Sequence, residues 1–139
     1  MKATIAITDD HDVVRNEIAG LLERFNYKVV IKAENGLDLI NQLSCSRTLP
    51  DVCIMDVRMP RLNGIETTRQ LTRLWPSIGV IGFSTYDDEV TRQAMLDAGA
   101  KAYLVKNTSI EEMCDCIDAV ANLKKETKSA RVEIPVTSP

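Results

Sequence analysis

Short apolar runs alternate along the chain with longer segments in which apolar residues recur every three or four positions. The short runs, at residues 3–8, 28–32, 52–55, 79–83 and 102–105, are continuous enough to be strands buried on both faces. Between them the period is helical. Residues 12–25 place Val14, Ile18, Leu21, Leu22 and Phe25 on one face, and Asn35-Gly36 opens a second helix through Leu37, Ile40 and Leu43. Residues 59–64 read as a loop. The helix over 65–74 that follows it is stopped by Trp75-Pro76, because a residue before proline is biased away from helical geometry. A fourth helix carries Val90, Ala94, Met95 and Ala98 and ends at Gly99, a residue type suited to a left-handed cap. The last begins at one of two Ser/Thr-x-x-Glu signals, Thr108 with Glu111 or Ser109 with Glu112, and runs to about Leu123. Five strands alternating with five helices predict an α/β fold, a parallel sheet covered on both faces. Residues 126–139, ETKSARVEIPVTSP, have no amphipathic period and read as a linker or tail.

Composition narrows the class. The chain has 139 residues, 45% of them hydrophobic and 27% charged, enough for one domain with its own core. Such an apolar fraction excludes a disordered chain, and the longest apolar runs fall far short of a membrane span. Seventeen basic against twenty acidic residues, net −3, argue against a nucleic-acid surface on this segment. The N-terminal apolar stretch is too short for a signal sequence and runs straight into two aspartates. Cys45, Cys53, Cys114 and Cys116 are therefore expected as free thiols, Cys53 in the core, and the protein as cytoplasmic.

In an open parallel sheet, ligands sit beyond the carboxyl ends of the strands. Those ends carry Asp9-Asp10, Glu34, Asp56, Ser84-Thr85 and Lys106. Two like charges ~4 Å apart repel by about 4 kcal/mol at an effective dielectric near 20. The three aspartates need positive charge among them, from Lys106 and from a divalent cation. Few carboxylates, oxygen ligation and a phosphate substrate suit Mg²⁺ or Mn²⁺, and one histidine, His11, builds no zinc site by itself. Taken singly, a strand-terminal Asp pair is a helix cap and a strand-terminal Lys is solvated; together they describe a metal-assisted phosphoryl site.

The strings IAITDDHDVVR, VCIMDVRMPRLNGIE, VIGFSTYDDE and AGAKAYLVKNTSIEEM resemble the receiver domain of two-component response regulators, most closely the NarL/FixJ type with LuxR-type output. The resemblance covers about residues 3–123. It implies a flavodoxin-like, doubly wound (βα)5 sandwich with strand order 2-1-3-4-5, a receiver domain at 1–125, and a linker or tail at 126–139. It implies Asp56 as the phosphoacceptor for a sensor histidine kinase. Asp10 and Asp56 would bind Mg²⁺ (or Mn²⁺) directly, Asp9 through water, and Arg58 through its backbone carbonyl. Lys106 would neutralise a phosphoryl oxygen, Ser84 would hydrogen-bond another, and Tyr103 would be the aromatic that swings between exposed and buried positions. Such a domain is a switch, an enzyme only toward its own aspartyl phosphate. Its output would be transcription, with homodimerisation on phosphorylation and DNA contacted through a helix-turn-helix domain absent from this chain. The alternative is a stand-alone receiver signalling by protein contacts.

Some positions depart from the family pattern. Asn107 stands where many members have proline, and Ser84 where many have threonine, which keeps the hydroxyl. His11 reads as a solvated helix-start residue rather than a phosphate relay. Arg58 and Tyr86, each two residues past a key position, are expected to overhang the phosphoryl group and slow its hydrolysis. Rival classes fit less well. An aspartyl phosphatase of the haloacid-dehalogenase type wants a second Asp where Arg58 stands. A flavin or dinucleotide module wants a Gly-rich or Ser/Thr-rich loop where Asp9-Asp10-His11-Asp12 would repel phosphate. A pseudo-receiver would not need the intact set of acidic pair, Asp56, Ser84 and Lys106.

Overall fold

A computed structural model describes residues 2–137, with side chains described over 2–123. Ten elements alternate: β1 (Thr4–Thr8), α1 (Asp12–Arg24), β2 (Lys28–Ala33), α2 (Gly36–Ser44), β3 (Val52–Met55), α3 (Gly64–Leu74), β4 (Gly79–Ser84), α4 (Glu89–Ala98), β5 (Ala102–Val105) and α5 (Ile110–Thr137). The strands form one parallel sheet in the order β2-β1-β3-β4-β5, the flavodoxin-like arrangement.

Strand alternation divides the core into two layers. Ala6, Cys53, Met55 and Val80 face α2, α3 and α4, where Leu39, Leu43, Leu71 and Met95 complete the packing. Ile5, Ile7, Val52, Ile54, Ile81 and Phe83 face α1 and α5, meeting Ile18, Leu22, Ile117 and Val120. Few aromatics take part, so close packing of aliphatic side chains and methionine carries the hydrophobic stabilisation.

Side-chain caps start the helices where polar residues precede apolar ones. Asn35, Asn63 and Asp88 accept hydrogen bonds from the backbone N–H groups of Asp38, Glu66 and Thr91. Of the two candidate signals for α5 the second operates: Ser109 Oγ accepts from Glu112 N–H at 3.1 Å. Gly99 closes α4 at φ 117°, a conformation that disfavours any Cβ.

Two apolar positions lie elsewhere than the periodicity suggests. Leu37 is 42% exposed, because α2 packs through Gly36, Leu39 and Leu43. Val90 is 82% exposed, because α4 is buried only through its second half, at Met95 and Ala98. α5 extends to Thr137, beyond the end near Leu123; adding turns to an existing helix requires no new nucleus, so it leaves little trace in apolar spacing. The linker or tail read over 126–139 lies outside the residues whose side chains are described. All four cysteines are free, and burial pushes the Cys53 thiol up to about 12. Among the described residues no helix is long and apolar enough to cross a membrane.

Candidate functional site

β1 and β3 are neighbours in register, Thr8 opposite Met55, so the residues after them leave the sheet side by side. The ladder continues one step past each strand: Asp56 N–H donates to the Thr8 carbonyl at 2.9 Å and Asp9 N–H to the Ala33 carbonyl at 3.1 Å. Lys106 N–H donates to the Ser84 carbonyl at 2.8 Å, extending β5 in the same way. Backbone pairing thus fixes the roots of Asp9, Asp56 and Lys106 at the carboxyl end of the sheet.

The side chains meet there. Lys106 Nζ donates to Asp9 Oδ2 at 2.8 Å and lies 3.5 Å from Asp56 Oδ1. Val57 N–H donates to Asp56 Oδ1 at 2.9 Å. Asp9 and Asp56 are only 2% and 6% exposed. Burial, then the charge of Asp9, pushes the Asp56 carboxyl up to about 6, although Lys106 and the Val57 N–H pull the other way. Burial alone would lower the Lys106 ammonium, but the Asp9 hydrogen bond and the charges of Asp56 and Asp9 outweigh it, and its pKa is raised.

Asp10 is half-buried, and its Oδ1 is a buried oxygen without a hydrogen bond. Asp9, Asp10, His11 and Asp56 each offer one ligand atom, all within 4.8 Å of one another. Arg15 stiffens the turn that presents them: one guanidinium nitrogen donates to the Asp9 carbonyl at 2.6 Å, the other to Asp12 Oδ1. Arg15 was not legible as part of this group. His11, read from the sequence as a solvated helix-start residue, is the N-cap of α1 and largely exposed, but its Nδ1 faces Asp9 and Asp10.

Ser84 is buried, but its hydroxyl serves its own loop, accepting from Tyr86 N–H at 3.1 Å. Tyr103 points inward, 4% exposed, and its phenol donates to the Tyr86 carbonyl at 2.6 Å. Burial raises the pKa of that phenol. The exposed Arg58 side chain stacks over the Tyr86 ring, 4.0 Å from its centroid. Tyr86 is therefore a hub joining Ser84, Tyr103 and Arg58. Gly64 packs against the backbone of the acidic site: its N–H donates to the Val57 carbonyl at 2.7 Å, and a Cβ there would stand 2.1 Å from the Asp56 carbonyl oxygen.

The model of the response regulator receiver domain family matches residues 5–118. The transcriptional regulatory protein LnrK of Bacillus subtilis is 35% identical over 117 residues, covering 84% of this chain and 52% of LnrK. The response regulator GacA of Pseudomonas aeruginosa is 36% identical over 118 residues, covering 84% of this chain and 54% of GacA. The chain thus spans about half the length of these curated relatives. A solved receiver domain structure from Clostridium thermocellum superposes with a TM-score of 0.82 at 26% identity, covering 90% of this chain and 98% of that one.

Proposed function

The chain belongs to the response regulator receiver family, and from that membership we propose that it is a phosphorylation-activated switch with Asp56 as the phosphoacceptor. One observation carries this: Asp56 is buried between Asp9 and Lys106, with its carboxyl raised to about 6. At neutral pH it is ionised, yet more basic than an ordinary carboxylate, as a nucleophile should be.

In the reaction an Asp56 oxygen attacks the phosphorus of a phosphohistidine on a sensor histidine kinase. The new O–P bond forms as the P–N bond breaks, and the imidazole leaves with the bonding pair. Transfer of this kind depends on positioning and charge neutralisation. Lys106, 3.5 Å from Asp56 Oδ1, is placed to meet a phosphoryl oxygen. Ser84 can donate its O–H to another once the loop moves inward, since the bond from Tyr86 N–H uses only its lone pair. Tyr103, tied to the same residue through the Tyr86 carbonyl, carries the change to the α4–β5 surface.

The residues fit a hard divalent cation: three carboxylates, with His11 beside them, and a buried, unsatisfied Asp10 oxygen. Asp10 and Asp56 would hold Mg²⁺ or Mn²⁺ directly, Asp9 through water, with the Arg58 carbonyl completing the set. The cation supplies positive charge against the phosphoryl oxygens. Incubation with a small-molecule phosphodonor and Mg²⁺ tests the proposal. Wild type should gain the mass of one phosphoryl group and Asp56→Asn none; a gain that persists in Asp56→Asn defeats it.

The similarity to regulators of transcription, at about half their length, supports a transcriptional output through a DNA-binding domain beyond the residues of this chain. Phosphorylation then acts in the cytoplasm by pairing two receivers. Sizing the protein with and without a phosphoryl mimic checks this: a dimer with the mimic supports it, and a monomer in both states favours a receiver that signals by contacts with other proteins.

A further inference from the structure

The chain contains a single histidine, and it stands inside the acidic cluster. His11 Nδ1 lies 3.2 Å from Asp9 Oδ1 and 3.2 Å from Asp10 Oδ1, the latter a buried oxygen without a hydrogen bond. Neighbouring ligands of an octahedral ion with ~2.1 Å bonds stand ~3 Å apart, close to the 3.2 Å spacing of Nδ1 from the Asp10 oxygen, the proposed direct ligand of the cation. Nδ1 pairs with Asp9 Oδ1 and leaves the Asp10 oxygen open; in the tautomer that carries its proton on Nε2, Nδ1 is an acceptor whose lone pair faces the space the two aspartates share.

The backbone around His11 is held in place. His11 N–H donates to Asp9 Oδ1 at 2.9 Å, and its carbonyl accepts the first bond of α1 from Arg15 N–H at 2.9 Å. Arg15 grips the chain on both sides, at Asp9 and Asp12. The side chain plays no part in capping α1 and is 66% exposed, which leaves an approach from solvent.

Building on the metal-dependent function above, we propose that His11 Nδ1 joins the site as a nitrogen ligand when a later transition ion such as Ni²⁺ occupies it, Mg²⁺ being held by oxygen alone. The site then distinguishes divalent ions by chemistry as well as charge. Carboxylate and carbonyl oxygens suit Mg²⁺, whereas imidazole adds affinity for later transition ions such as Ni²⁺. His11 is a specificity determinant of the cation site and acts on which metal loads the switch.

Calorimetric titration of the untagged chain with Ni²⁺ and with Mg²⁺ tests this, because His11 is then the one imidazole present. His11→Ala should fold, since no cap hydrogen bond is lost. It should weaken Ni²⁺ binding by about tenfold or more and leave Mg²⁺ binding within about twofold. Equal losses for both ions, or no loss for Ni²⁺, overturn the role of His11 while leaving the cation site standing. Asp10→Asn should weaken both ions; if it weakens neither, the acidic cluster is not the cation site and the inference falls with it.

Discussion

Replacing Asp56 with asparagine removes a negative charge that the fold holds beside Asp9 at a buried position. An ordinary aspartate titrates near ~3.9, whereas burial and Asp9 push Asp56 up to about 6. Below about pH 4 the carboxyl is protonated in the folded and unfolded chains alike, and the variant should match wild type. Between about 4 and 6 the folded chain keeps a proton that the unfolded chain has lost, so wild type loses stability as pH rises. Above about 6 the loss is complete. At ~1.4 kcal/mol per pH unit separating the two values, ionised Asp56 costs the fold ~3 kcal/mol at most. That cost is already net of the attraction to Lys106. The buried asparagine amide, whose NH2 meets the Lys106 ammonium without an acceptor, reduces the net gain of Asp56→Asn to about 1–2 kcal/mol. Urea unfolding is the assay. With a slope of roughly 1–3 kcal/mol per molar, the variant's midpoint should rise by about 1 M at pH 7.5 and by almost nothing at pH 4. A variant less stable than wild type at pH 7.5, or an advantage independent of pH, would refute the electrostatic account.

Further expectations concern the neighbours of Asp56. Lys106→Met removes a charge that holds the Asp56 carboxyl down, so the pH of half-maximal phosphorylation should move above that of wild type; an unmoved profile speaks against the pairing. Gly64→Ala places a methyl 2.1 Å from the Asp56 carbonyl oxygen and should destabilise by about 2–3 kcal/mol. Gly20→Ala, in a helix with nothing within 4 Å, should stabilise by about 0.5–1 kcal/mol; the same sign for both in thermal unfolding would contradict the packing. Arg58→Ala combined with Tyr86→Ala removes the Arg58–Tyr86 stack, which we propose overhangs the phosphoryl group, and should shorten the lifetime of the phosphorylated protein severalfold. A lifetime equal to wild type shows that the stack does not exclude water.

Much of this was written in the chain. β3 is fully buried and leaves an unbroken apolar run that 52–55 matches residue for residue. The run 102–105 matches β5 equally well although that edge strand buries only Tyr103, and the other edge strand, β2, buries only Ile31 and Ala33 rather than both faces. Because parallel strands end at one edge, listing their last residues also listed Asp9, Asp10, Asp56, Ser84 and Lys106. Periodicity identifies an apolar stripe but not how much of it the sheet covers, which is why Leu37 and Val90 stand exposed. Two capping signals one residue apart differ only in which hydroxyl meets the free N–H, and that choice needs coordinates. The contacts of Arg15 and His11 were hidden for another reason. They run back into the turn before α1, and no spacing rule distinguishes a guanidinium aimed at a carbonyl from one in solvent. The inward Tyr103 and its bond to the Tyr86 carbonyl likewise depend on loop geometry.

The most direct test of Asp56 as phosphoacceptor is chemical mapping of the modified residue. Treating the protein with a phosphodonor and Mg²⁺, then with borohydride, reduces an aspartyl phosphate to homoserine, which peptide mass analysis locates. The account predicts homoserine at position 56 and nowhere else. Conversion at Asp9 or Asp10, or none at Asp56 under conditions that phosphorylate the protein, would contradict it.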